Sequence, residues 1–443
     1  MERPGPGEDS AEPVDVLIIG GGPAGATAAA LLAGRGTQVL LLEKDRHPRF
    51  HIGESLLPRN VALFERLGVL EQVAAIGVLK PAAEFVSDEH GAAVAFPFSL
   101  ARDARDRFAF QVPRAAFDQV LFANAAARGA RTLQQCRAVS LRPAPPGGRA
   151  LVHAVAAGAE RLAFAPRFVL DASGRDTFLA GRLGLREPAA RHASAAVYAH
   201  YRGAEFRTGE REGCISIHLA RDGWFWMIPL PDGVMSVGFV AHPTLFKGRE
   251  SSMAAFLAAQ IEASPSVRAR MRAAERISAV TATGNYSYAA RTSWGEGYMM
   301  IGDAFAFLDP IFSSGVLFAM MAGEMGAAVA ETWLADPRAG RALARRTERR
   351  LRRGMAALSW LITRVNDPVL RDMFLSANNR FGMRDGLISL LAGDFERPLA
   401  TRGPEFAFKA AYRMLSGLNR LGLRLHPDGQ LRRAPGGLLA AGS

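Results

Sequence analysis

Three groups of residues in this chain have the types and spacing that do chemistry. The first is Gly20-Gly21-Gly22-Pro23-Ala24-Gly25, which follows a β-branched run from Val14 to Ile19 and opens an Ala/Leu-rich helical stretch to about Ala33. A second strand pattern, Gln38 to Leu42, closes on Glu43 and Lys44. Strand, glycine turn, helix, strand and acid, in that order, is the arrangement of a dinucleotide site. Gly20 and Gly22 permit the tight turn and the close approach of a diphosphate to N–H groups at the helix start, where Pro23 and Ala24 stand. Gly25 lets helix and strand pack, and Glu43 can hold a ribose hydroxyl.

The second group is one residue, Lys80. Of 54 basic residues only Lys44, Lys80, Lys247 and Lys409 are lysines. A chain that otherwise chooses guanidinium is enriched in amines where an adjustable pKa matters. The third is Gly223-Trp224-Phe225-Trp226-Met227-Ile228-Pro229, which holds two of the five tryptophans. On a strand, Trp224 and Trp226 point to one face. Paired indoles fill cores as readily as they wall a passage, and the spacing alone leaves both readings open.

The elements that position these groups follow from periodicity. Pro58 to Ile76 reads as a helix with apolar residues at Val61, Phe64, Leu67 and Leu70, so Lys80 falls just beyond it at an element boundary. Phe108 to Val112 reads as a strand, and Pro113 to Arg128 as a helix with proline in first position. Strands at 131–142, 150–156 and 162–170 lead to the polar turn Asp171-Ala172-Ser173-Gly174-Arg175. Between about 182 and 274 the pattern becomes short strands, with Pro231-Asp232-Gly233 as a hairpin turn. A helix near 251–273 follows, and then a strand, Tyr298 to Ile301, ending in Gly302-Asp303. The predicted organisation is a lead-in at 1–13 without fixed structure and a discontinuous nucleotide-binding domain at 14–181 and 275–335. Part of 81–107 joins the substrate side, 182–274 forms a sheet-rich substrate domain, 336–430 is helical, and 431–443 is a loose tail.

At 443 residues, with 49% apolar and 22% charged residues, the composition is globular, and Gly, Pro or Asp interrupts each apolar run before bilayer length. The acidic start (Glu2, Glu8, Asp9, Glu12) is unlike a signal peptide, so a soluble, cytoplasmic protein without a membrane partner is expected. Cys136 and Cys214 have neither disulfide nor metal-ligand spacing, so no metal is expected. The net charge of +12 comes without a nucleic-acid-binding motif. Seven arginines between Arg341 and Arg353 read as a solvated helix face, with an acidic carrier protein as the alternative.

Together these motifs resemble the flavin-dependent halogenases, within the larger group folded like p-hydroxybenzoate hydroxylase. The resemblance runs from about Val14 to Ala335. It includes His51-Ile52-Gly53-Glu54-Ser55, Val112-Pro113-Arg114 with Phe117-Asp118, Gly302-Asp303 and Asp309-Pro310-Ile311-Phe312-Ser313-Ser314-Gly315. It implies an α/β (α+β) fold with an FAD-binding Rossmann-like domain, a β-sheet substrate domain and a helical C-terminal region. It implies FAD, delivered reduced by a separate flavin reductase, with Lys44, Ser55, Arg114 and Asp303 joining the glycine turn and Glu43 in holding it. For Arg114, a purely structural bridge to Asp118 is the other reading. It implies chloride or bromide bound at Ser314 and Gly315, where N–H groups at a helix start suit an anion. Lys80 would receive the hypohalous acid, either by hydrogen bonding it or by becoming a haloamine. Trp224, Trp226, Ile228, Pro229 and Phe312 would wall the passage to the substrate.

Where the tryptophan halogenases carry a glutamate before the Ser-Thr-Gly run, this chain has Phe312. That departure resembles the branch acting on phenols and pyrroles, free or tethered to an acyl carrier protein. Two alternatives stand beside halogenation. One is an FAD-dependent aromatic hydroxylase that inserts oxygen directly, and the other a flavin-binding docking protein without activity.

Overall fold

The computed structural model describes residues 10–433, apart from 104, 106, 146, 248–250, 308–309, 377–382 and 395–402. Residues 1–9 of the expected lead-in, Asp309 of the Asp-Pro-Ile-Phe run and residues 434–443 of the expected tail lie outside the described residues. Two sheets share one core. The first is parallel through its centre, in the order Tyr298–Met300, Arg161–Asp171, Glu12–Ile19, Val39–Leu42, Arg131–Leu133. Its central strands are apolar on both faces because helices cover them, and Val16, Leu17, Ile18, Leu40 and Leu41 are fully buried. The helices Pro23–Ala33 and Gly315–Ala335 cross where Gly323 has no side chain. A Cβ there would stand 2.4 Å from the Ala24 carbonyl oxygen. That close crossing brings the start of Gly315–Ala335 to the same sheet edge as the glycine turn.

The second sheet runs Ala306–Phe307, Thr281–Ala290, Arg186–Arg202, Val234–Ala241, Gly223–Leu230, Ile215–Leu219, Ala82–Ser87, Ala92–Pro97. Its two faces bury different sets of residues. Phe225, Met227, Val237 and Phe239 join an outer cluster under the helix Met253–Ala263, while Trp224, Trp226 and Ile228 join the core shared with the first sheet.

Several expectations shift. The first strand begins at Glu12, paired with Phe164, so the lead-in is shorter than 1–13. The Pro58–Ile76 helix is two, Arg59–Leu67 and Leu70–Ala75, because Gly68 adopts a left-handed φ of 68° and caps the first. Likewise 131–142 divides into Arg131–Leu133 and Arg137–Arg142 around Gln135 at φ 54°. The helix expected at 251–273 divides into Met253–Ala263 and Pro265–Arg270 at Ser264. Thr281–Ala290, placed by sequence with the nucleotide-binding part, pairs in the second sheet against Arg186–Arg202. Leu431–Arg433, placed in the tail, pairs with Leu423–Leu425. Pro113 caps the helix Arg114–Ala127 and is not its first residue.

The helix Pro23–Ala33 is seated by Gly25, where an added Cβ would meet the Gly20 carbonyl oxygen at 1.9 Å. Gly25→Ala is therefore expected to destabilise the cofactor-free protein by about 1–3 kcal/mol, the usual cost of overpacking. A urea midpoint unchanged from wild type would show that the crossing tolerates a methyl group.

Candidate active site

The two sheets enclose a cavity of about 760 Å³. One end is the glycine turn: Gly20, Gly22, Pro23 and Ala24 line it, with Glu43 and Lys44 beside them, while Gly25 lies behind at the helix–strand contact. Gly20 has φ 104°, and a Cβ there would meet the Ala172 carbonyl oxygen at 2.3 Å. Gly22 lines the cavity, and a Cβ there would meet nothing nearer than Arg49 Nη2 at 3.7 Å. Glu43 is held rigidly, accepting hydrogen bonds from Gly21 N at 2.8 Å and Asp45 N at 2.9 Å. Lys44 forms an ion pair with Asp176 at the rim. A diphosphate on the helix start and a ribose beside Glu43 fit this cradle.

Sequence reasoning missed Arg49. Its guanidinium lies 3.4 Å from Glu43 and 3.5 Å from Asp118, on the cavity wall beside Gly22, where it can balance phosphate charge. Nothing in its local pattern marks it. Arg114 serves both readings left open for it. It makes two hydrogen bonds to Asp118, at 3.0 and 3.2 Å, and donates to the Ile52 carbonyl at 2.7 Å, while also lining the cavity. Asp303 faces the same space, and desolvation there raises its carboxyl to about 6 against the pull of Arg114 and Arg175. A carboxyl of that kind suits the polar hydroxyls of a ribityl chain.

Trp224, Trp226 and Ile228 line the opposite wall, alternate residues of one strand, with the two indoles 6.1 Å apart. Trp226 Nε1 donates to Ser236 Oγ at 3.1 Å. Its ring fits because Gly238 is its cross-strand partner, where a Cβ would stand 2.1 Å from the indole. Two expected wall residues do not border the cavity. Pro229 shares the strand face of Phe225 and Met227, and Phe312 is buried, stacked 6.3 Å from Phe374 of the helix Pro368–Leu375.

At the start of the helix Gly315–Ala335, Ser313 and Gly315 line the cavity, whereas Ser314 is buried as the N-cap and does not border it. Ser313 holds a left-handed φ of 56°, a costly conformation for a residue with a side chain and one that concentrates at functional turns. Apart from its chain neighbours and its own helix, no described atom lies within 4 Å of a Cβ built on Gly315, and the first N–H groups of a helix have no partner within it.

Lys80 ends the strand Val78–Lys80 and is 1% exposed. Its Nζ donates to Ser55 Oγ at 2.9 Å and to the Leu56 carbonyl at 2.8 Å, with the Phe98 ring 5.4 Å away. Ser55 itself lines the cavity, so the amine stands one hydroxyl behind the wall. Burial without a carboxylate partner lowers its pKa to about 7. The nearby Cys214 thiol, pushed up to about 11 by burial, stays neutral and offers no counter-charge. A neutral amine has two N–H donors and one lone pair, so Ser55 and Leu56 use both donors and leave the lone pair for an electrophile.

The glycine cradle, the anchored acid and the long cavity between two sheets define an FAD-binding protein, and residues 13–357 match the family model described as "FAD binding domain". The chain is 33% identical over 324 residues to a "Tryptophan 2-halogenase" of Chondromyces crocatus, covering 72% of this chain and 61% of that relative. To the "1H-pyrrole-2-carbonyl-[peptidyl-carrier protein] chlorinase" of Pseudomonas fluorescens it is 30% identical, covering 69% of this chain and 73% of that one. The solved structure of the flavin-dependent brominase Bmp2 superposes with a TM-score of 0.79 at 26% identity, covering 92% of this chain and 100% of that one. The chain belongs to the flavin-dependent halogenases, with the p-hydroxybenzoate hydroxylase-like fold.

The Lys80 environment has a consequence for stability. Unfolded, the amine titrates at its ordinary 10.5; folded, at about 7. Between these values the unfolded chain binds the extra proton, so stability gains with rising pH over that window. Lys80→Met is expected to melt higher than wild type at pH 7, with the gap narrowing toward pH 10. A gap independent of pH would contradict the uncharged folded amine.

Proposed function

We propose that this chain oxidises chloride or bromide in the cavity and passes the halogen through Lys80 to an electron-rich aromatic ring. The observation that carries this reading is the buried, uncompensated amine of Lys80, separated from the cavity only by Ser55. FAD, arriving reduced from a separate reductase, would supply the activation of oxygen. The protein's own residues do the rest. The turn at Gly20–Gly25, with Glu43, Arg49 and Asp303, binds and orients the cofactor. The helix start at Ser313–Gly315 holds the halide by its N–H groups. Trp224, Trp226 and Ile228 exclude water and keep the organic substrate from the oxidising end. At Lys80 the neutral amine either forms an N–halogen bond as the O–halogen bond of hypohalous acid breaks, its proton leaving with the hydroxide as water, or hydrogen-bonds the hypohalous acid and aims it.

Phe312 stands where the tryptophan halogenases carry a glutamate and is turned from the cavity, so no carboxylate reaches the substrate from that position, which favours a ring activated by its own oxygen or nitrogen, a phenol or a pyrrole. The Pseudomonas relative's name records a pyrrole on a peptidyl carrier, so carrier-bound substrates belong in the test. The Chondromyces relative's name keeps tryptophan in it as well. Cytoplasmic location belongs to the same reading, for reduced flavin is an intracellular supply. Among the described residues no helix is long and apolar enough to cross a membrane.

With reduced FAD, oxygen and bromide, Lys80→Ala is expected to keep consuming oxygen while ring halogenation falls on the order of 100-fold or more, as for loss of a nucleophilic catalyst. Product mass decides this, and halogenation at the native rate would remove Lys80 from the path. A hydroxylated product formed equally well without halide would replace halogenation by hydroxylation. Gly315→Leu, whose side chain enters the open space at the helix start, is expected to raise the bromide concentration for half-saturation roughly tenfold or more, about 1.4 kcal/mol or more of lost anion binding. Unchanged halide saturation would move the anion elsewhere.

A further inference from the structure

Halide oxidation in the cavity has a proton requirement. One reduced FAD, one O2, one halide anion, one aromatic C–H and one proton yield oxidised FAD, the C–halogen product and two waters. Each turnover therefore takes up one proton with the anion, and a charge cannot enter a low-dielectric space without its partner at acceptable cost. The chain needs a group that brings protons from solvent to the cavity wall.

Glu54 is a buried carboxylate on that wall with one oxygen left over. It is 2% exposed and lines the cavity. Its Oε1 lies 2.7 Å from His200 Nε2, the length of a charge-assisted bond, while its Oε2 is fully buried with no hydrogen-bond partner. An unsatisfied buried carboxylate oxygen is expensive, and such atoms persist where function uses them. His200, on the strand Arg186–Arg202, is 18% exposed at its side chain and so reaches water. The exposed Phe50 ring lies edge-on to it, with centroids 6.1 Å apart.

The backbone fixes the arrangement. The Glu54 carbonyl accepts from Val112 N at 2.8 Å, Leu56 N donates to the Phe110 carbonyl at 3.0 Å, and Ser55 bridges Gln111. This extended segment sends alternate side chains to opposite sides, Ser55 to Lys80 and Glu54 to His200. The partition between cavity and lysine thus carries a hydroxyl on one side and a proton-binding pair on the other.

We propose that Glu54 and His200 form a proton-delivery pair that supplies the cavity with the proton consumed alongside each oxidised halide. His200, protonated on both nitrogens, gives its Nε2 proton to Glu54 Oε1 and is left as the Nδ1–H tautomer. Rotation of the carboxyl turns that O–H from His200 toward the cavity, and a flip of the imidazole lets its bare nitrogen take a proton from water, which restores the pair. The hydrogen bond to Glu54 raises the His200 pKa above its ordinary 6.5, against the opposing effect of burial, which keeps the ring protonated closer to neutral pH. The neighbouring ionisable groups are Tyr198, pushed up by burial and by Glu54, and Arg175, whose charge acts on Tyr198 in the opposite sense.

The inference rests on the halide-oxidation reading, and its test separates the two. In cofactor-free protein, the His200 ring followed by NMR is expected to titrate above 6.5 and to fall by about one unit or more in Glu54→Gln. Identical titration in both proteins would break the pair. In FAD-loaded protein with bromide and a phenol acceptor, Glu54→Gln and His200→Gly are expected to lose bromination roughly 10- to 100-fold above neutral pH. FAD affinity should stay within about twofold, and added imidazole should restore His200→Gly. Wild-type bromination with variants of unchanged pH profile and solvent isotope effect overturns the proton-delivery role alone. A drop in FAD affinity of about tenfold with no change in pH profile makes Glu54 a cofactor contact and also overturns it. Wild-type protein that brominates nothing overturns the proposed function, and this inference with it.

Discussion

Placing an amine at 1% exposure with no carboxylate beside it is the constraint on which the rest of the site turns. The desolvation cost is real, and the protein meets it by keeping Lys80 near-neutral and by using both N–H donors on Ser55 and Leu56. Everything around it serves that state. The segment carrying Ser55 is fastened to the strand Ala109–Gln111, the strand carrying Lys80 pairs with the same strand, and the Cys214 thiol stays protonated. Had a carboxylate stood at that spot, the lysine would be held as an ammonium ion.

The cavity shows a division of labour between backbone and side chain. At the cofactor end and at the start of Gly315–Ala335, glycines and a left-handed serine line the cavity, while Glu43 and Arg114 also hold neighbouring loops in place. At the wall the roles reverse, and indoles seated on a regular strand shape the space. Backbone groups suit phosphate and halide because they are fixed and uncharged, so they bind an anion without needing a counter-ion to be moved.

Much of this was legible in the sequence, and the reasons differ by residue. The glycine turn and Glu43 were readable because a diphosphate site demands glycine at fixed offsets from a strand and a helix. Trp224, Trp226 and Ile228 were readable because strand alternation has an invariant period. Lys80 stood out because amines are scarce here. Arg49 and His200 were not readable, since their partners Glu43 and Glu54 are remote or sit on a loop without periodicity, and no local pattern announces a tertiary ion pair. Pro229 and Phe312 were misplaced on the wall for opposite reasons. The first falls on the wrong parity of its strand, and the second is drawn away by an aromatic cluster with Phe374, a contact between segments about sixty residues apart.

The strand Gly223–Leu230 belongs to two separate apolar clusters, one for each face. Its odd-numbered side chains anchor the outer helices while the even-numbered ones shape the chamber. Recutting the even positions, together with their cross-strand partner Gly238, would reshape the chamber and the shared core while leaving the outer cluster in place.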